Sequence, residues 1–135
     1  MGGILSSLLG GGEAMAAESA EGSSESRVHT FHSANRWLLH FNEIKDSNQL
    51  LVVDFAASWC GPCKFMEPAV NAMSNKFSDV EFAKIDVDEL PDVAREFEVQ
   101  AMPTFLLMKK GSVVDKVVGA KKDELERKIT QHRSS

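Results

Sequence analysis

The 135-residue chain has only two cysteines, no excess of basic charge, and no apolar run approaching the ~18 residues of a membrane-spanning helix. Cys60 and Cys63, three positions apart, cannot staple a secreted framework, so the pair is either reactive or part of a metal site. The net charge of −5 leaves no basic footprint for nucleic acid. No G-x-G-x-x-G follows a strand-like segment, so the chain offers no dinucleotide site of its own. No internal repeat is visible. What remains is the length of one domain, with 43% hydrophobic and 26% charged residues, the balance of a globular protein.

The N-terminus is compositionally separate. Residues Met1 to Arg27 hold six of the nine glycines, four glutamates and one arginine, which predicts a disordered extension over 1–27 and a folded domain over 28–135. No Lys or Arg precedes the patch Ile4, Leu5, Leu8, Leu9, and serines break it, against a secretory signal. The acids argue against a transit peptide. Met1-Gly2-Gly3-Ile4-Leu5-Ser6 fits M-G-x-x-x-[ST], which calls for myristate on Gly2, unless the segment is an ordinary tail. A single myristoyl chain binds membranes marginally and reversibly. The tail has no cysteine for palmitate, and its charge of −3 (one Arg against four Glu) opposes an anionic leaflet. The expectation is a cytoplasmic protein with a weakly membrane-associated fraction that depends on Gly2.

Within the domain, Val28 to His32 alternates like a strand, and Ser33 is placed to cap a helix reaching about Ser47. Trp37, Leu38, Phe41 and Ile44 should form its apolar face. Leu50 to Ala57 (LLVVDFAA) is nearly continuous in apolar residues, the pattern of a strand buried on both faces. A helix should run from the cysteines to about Phe77 with a kink at Pro68. Val80 to Val87 reads as a second core strand and Pro91 opens a short helix over about Leu90 to Phe97. Thr104 to Lys109 and Val113 to Val118 form a hairpin through Lys110-Gly111-Ser112. Lys121 to Gln131 closes the chain as a helix anchored by Leu125 and Ile129. The order β-α-β-α-β-α-β-β-α implies an α/β fold, one mixed sheet of about five strands flanked by about four helices on both faces.

The cysteines fall at a strand-to-helix junction. A helix N-terminus offers unpaired N–H groups and the positive end of the dipole, both of which favour a thiolate. Cys60, just before the helix body, is expected to be exposed and to act as nucleophile. Cys63, one turn in and shielded by Trp59 and Pro62, would be the resolving thiol, with Gly61 and Pro62 keeping the turn compact. Two alternatives stand beside this. Structural zinc takes four protein ligands, and none of His29, His32, His40 and His132 has ligand spacing relative to Cys63. The cysteines could also be buried and inert, against which the Gly-Pro between them argues.

These residues resemble the thioredoxin family over about Val28 to His132. The strings VVDFAASWCGPCK (Val52 to Lys64) and AMPTFLLMKKG (Ala101 to Gly111) are similar to the family's active-site and cis-proline segments. ASWCGPCK and DVDELPDVA are similar to the plant h-type branch with an N-terminal extension. The resemblance implies a thiol–disulfide oxidoreductase that binds no cofactor and works through a redox-active Cys60–Cys63 disulfide. It makes Asp54 the carboxylate that takes the proton from the resolving cysteine, with Lys84 near it. A carboxyl within an apolar run should have a raised pKa, unless Asp54 lies at an exposed strand edge. Pro103 would follow a cis peptide, although only about one X-Pro bond in twenty is cis. Trp59, Gly61, Pro62, Met102, Gly119 and Ala120 would form a shallow docking surface, with simple core packing the alternative for Trp59. The implied partners are disulfide-containing target proteins and, as electron donor, an NADPH-dependent thioredoxin reductase, or else glutathione with glutaredoxin.

Overall fold

The computed structural model describes residues 25–134. The Gly2 motif, and all but the last three residues of the expected extension, lie outside the described residues. The elements are β1 (Val28–Phe31), α1 (Ala34–Ile44), β2 (Leu51–Ala56), α2 (Gly61–Lys76), β3 (Glu81–Asp86), α3 (Pro91–Glu96), β4 (Thr104–Lys109), β5 (Ser112–Val118) and α4 (Lys122–His132). They occur in the order expected from the sequence.

The five strands form one sheet in the order β1-β3-β2-β4-β5. β1, β3 and β2 are parallel, whereas β4 pairs antiparallel with β2 and β5 antiparallel with β4. Every residue of β2 is buried, as its nearly continuous apolar pattern requires of a central strand with a covered sheet face on each side. Leu50, Val52, Phe82, Phe105 and Leu107 pack with Met66, Val70 and Met73 of α2 and with Leu125 and Ile129 of α4. Leu51, Val53, Phe55 and Ile85 point to the other face, against Trp37 and Ile44 of α1 and Val93 and Ala94 of α3. Alternation along β2 therefore sends Asp54 to the α2 face with Val52.

Several local expectations shift. Ser33 caps α1, its hydroxyl oxygen accepting from the Arg36 N–H at 3.3 Å. The helix stops at Ile44 rather than Ser47, because the Ser47 N–H and hydroxyl both donate to the Ile44 carbonyl (3.0 and 2.8 Å) and turn the chain. Leu38 is not on the buried face: it is 53% exposed, rotated about 100° from Trp37, and the stripe against the core is Trp37, Phe41 and Ile44. The β4–β5 connection is a two-residue turn, Lys110 and Gly111 at φ +53° and +80°, the left-handed pair that suits the twist of a tight hairpin. Pro68 lies inside α2.

Candidate active site

β2 ends at Ala56 and α2 begins at Gly61, which places both cysteines where the strand hands over to the helix. Cys60 is the N-cap of α2, and its Sγ accepts the Cys63 backbone N–H at 3.1 Å. That N–H is among the donors a helix start leaves unpaired, so negative charge on Cys60 Sγ meets both a hydrogen bond and the dipole's positive end. The two sulfurs are joined in a disulfide with their Cα atoms 5.3 Å apart. The Cys60 Sγ also lies 3.6 Å from the Met102 carbonyl oxygen.

Cys60 is not exposed as expected. It is 4% accessible and Cys63 5%, because Sγ of Cys60 turns inward, into the cap of its own helix and beneath the Met102 loop. Both cysteines pack with Ala56 and Ala57, with Val87 and Met102 against them. Position relative to the cap, not accessibility, distinguishes the two sulfurs. Neither Trp59 nor Pro62 folds inward as a shield; both are exposed.

Asp54 lies behind this junction and is 7% exposed, which removes the strand-edge alternative. Its register partners are Lys84 on β3 and Phe105 on β4. Burial pushes its carboxyl up to about 7; the Lys84 ammonium works against this, and the Glu67 carboxylate adds to it. Its Oδ1 is buried without a hydrogen-bond partner. Lys84 Nζ instead donates to Glu67 Oε2 at 3.0 Å. A depression of about 250 Å3 reaches Asp54, an adjoining one of about 290 Å3 reaches Cys63, and Glu67 and Lys84 line both.

The outer rim is apolar and open. Trp59 is 67% exposed, which excludes core packing, and its indole Nε1–H donates to Asp88 Oδ2 at 2.8 Å. Gly61 and Pro62 are exposed, and a Cβ added at Gly61 would meet nothing within 4 Å. The fold does not need glycine there; the space is left to whatever approaches the disulfide. The Met102–Pro103 peptide is cis, and the Gly119 N–H donates to the Pro103 carbonyl at 2.8 Å, which ties the end of β5 to the loop over Cys60. Gly119 holds φ +101°, a left-handed conformation that strains other residues. Ala120 is exposed beside it.

Two residues at the site escaped the sequence reading. Glu67 follows Cys63 by four positions and so shares its side of α2, a spacing that could have flagged it. Asp88 is 29 positions from Trp59, and no local pattern joins them. Among the described residues, no group of three or more His, Cys, Asp or Glu side chains is disposed to hold a metal, so the zinc alternative finds no ligand set there. No helix of the described residues is long and apolar enough to cross a membrane.

Comparison with known proteins agrees with this geometry. The thioredoxin family model matches residues 30–131. Thioredoxin H2 of Arabidopsis thaliana is 60% identical over 134 residues, covering 99% of this chain and 100% of that protein. Thioredoxin H2-2 of Oryza sativa subsp. japonica is 52% identical, covering 86% of this chain and 87% of the relative. The crystal structure of thioredoxin NaTrxh from Nicotiana alata superposes with a TM-score of 0.81 at 68% identity, over 85% of this chain and 100% of that one. A redox-capable C-x-x-C pair on a five-stranded mixed sheet with four helices, together with h-type relatives over nearly its full length, makes this chain a thiol–disulfide oxidoreductase belonging to the thioredoxin family.

Proposed function

We propose that Cys60 attacks target disulfides, that Cys63 resolves the resulting mixed disulfide, and that Asp54 takes the proton Cys63 must lose. The observation that carries the reading is the Cys63 N–H donated to Cys60 Sγ at 3.1 Å. It stabilises a thiolate at position 60 and offers nothing equivalent at position 63. The Cys60 thiolate displaces one sulfur of the target disulfide, which leaves as a thiolate while the other stays bound to Cys60. Cys63, deprotonated with Asp54 as acceptor, then attacks Cys60 Sγ and expels the second target sulfur. The target gains two electrons and the chain ends with the Cys60–Cys63 disulfide.

Targets dock on Trp59, Gly61, Pro62, Met102, Pro103, Gly119 and Ala120, with the open space over Gly61 admitting the target backbone. Re-reduction comes from an NADPH-dependent thioredoxin reductase or, alternatively, from glutathione with glutaredoxin. Insulin reduction by dithiothreitol tests the activity. Catalytic amounts of the protein should hasten precipitation of the insulin B chain, and a protein that only binds its targets would not.

The proposed domain division is 1–27 as an extension and 28–135 as the catalytic domain. The protein is cytoplasmic in this reading, with a minor membrane-associated fraction carried by myristate on Gly2. In wild type the N-terminal peptide should carry the mass of myristate, and Gly2→Ala should remove both that mass and the membrane fraction. An unmodified wild-type N-terminus, or identical partitioning of the two proteins, contradicts the lipid anchor.

A further inference from the structure

A buried carboxyl with an ammonium in register beside it would ordinarily pair with it, since desolvated charges are costly when left alone. Asp54 and Lys84 are register partners on adjacent parallel strands, and both side chains rise on the α2 face. Yet Lys84 Nζ donates to Glu67 Oε2 at 3.0 Å, and Asp54 Oδ1 stays unpartnered. Glu67 reaches Lys84 from α2, four residues beyond Cys63, and their ion pair borders both the depression that reaches Asp54 and the one that reaches Cys63.

We propose that Glu67 is a positioning residue for the thiol–disulfide reaction: it holds the Lys84 ammonium on the α2 side, so that Asp54 remains uncompensated and free to carry a proton. The inference rests on Asp54 being the proton acceptor. Among the described residues, the charged groups facing this space are few. α2 contributes Glu67 and, across the second depression, Lys64; β3 contributes Lys84 and Asp86. Val28 and Thr30 of β1 and Phe105 of β4 bring no charge. Lys84 is the cation in register with Asp54, so its tether decides whether Asp54 is compensated. Without Glu67, the ammonium is free to fold back and stabilise the carboxylate, and the acceptor becomes a weaker base.

Glu67 is half-exposed and Lys84 lies at the rim, so substitution at either leaves the core intact. The test is a carbon-13 carboxyl titration of Asp54 by NMR in the oxidised full-length protein. It compares wild type, Glu67→Gln, Lys84→Met and the double variant. Glu67→Gln should move the Asp54 inflection towards acid by about one pH unit. In the Lys84→Met background the same substitution should move it less than half as far, because the cation it released is gone. Equal displacement in both backgrounds would mean that Glu67 acts only through its own field, and would overturn the proposal, as would no displacement. The resolving rate against pH then separates the two claims. A Glu67→Gln profile that moves towards acid with the inflection supports both. If Asp54→Asn resolves mixed disulfides as fast as wild type while the titration pattern holds, the acceptor role fails and Glu67's hold on Lys84 stands.

Discussion

Cys63→Ser should accumulate target proteins covalently attached through Cys60, whereas Cys60→Ser should carry none, and both should lose turnover to the background rate. The asymmetry follows from the cap. Cys60 Sγ receives the Cys63 N–H and sits at the positive end of α2, which favours its thiolate over that of Cys63, so it attacks first. With serine at 63 no second sulfur can displace the bound target, and the mixed disulfide persists. With serine at 60 the remaining thiol lies past the cap, inside the helix and without that donor. Non-reducing gels and intact-mass spectra of both variants after exposure to a disulfide-containing protein read the outcome. Equal trapping by the two would overturn the assignment.

Asp54→Ala should raise stability at pH 8 relative to pH 5 and slow resolution at neutral pH. In the folded chain the Asp54 carboxyl is pushed up to about 7, against 3.8 for the free group. Between those values the folded state holds a proton that the unfolded chain has released, so stability falls as pH rises from about 4 to about 7. The wild type bears that loss in full above pH 7, and the variant never does. Variant minus wild-type unfolding free energy should therefore be more favourable at pH 8 than at pH 5 by on the order of 2–3 kcal/mol. Taking the difference between two pH values cancels the small cavity left by the substitution. The same change should slow mixed-disulfide resolution near pH 7 by about a hundredfold, the lower end of what a positioned proton acceptor contributes. Urea melts that instead show the wild type gaining on the variant as pH rises would identify Asp54 as a paired, structural carboxylate.

Most of the fold was legible because periodicity and covering agree. The nearly continuous apolar run in LVVDFA marked a central strand, and the β-α alternation fixed the parallel pairing of β1, β3 and β2. Helix ends were less legible, since Ser47 stops α1 through hydrogen bonds to Ile44 that no apolar pattern announces. Leu38 was misplaced because Leu38 and Leu39 extend the apolar stripe in sequence while only Trp37, Phe41 and Ile44 reach the sheet. At the site, residue types were legible and their surroundings were not. Cys60 is buried by a loop 42 residues away, whose cis proline was expected only from the family resemblance and whose tie to Gly119 is a tertiary feature. The diversion of Lys84 to Glu67 likewise depends on the distance between a strand and a helix, which no one-dimensional spacing encodes.

The most direct measurement is a single turnover without external reductant. Pre-reduced protein, freed of small thiols, is mixed with excess insulin under anaerobic conditions, quenched with an alkylating agent and mapped by mass spectrometry. One insulin disulfide should be opened per chain, and the peptide containing Cys60 and Cys63 should be recovered two hydrogens lighter, internally joined and unalkylated. Intact insulin beside alkylated Cys60 and Cys63 would contradict dithiol–disulfide exchange through this pair.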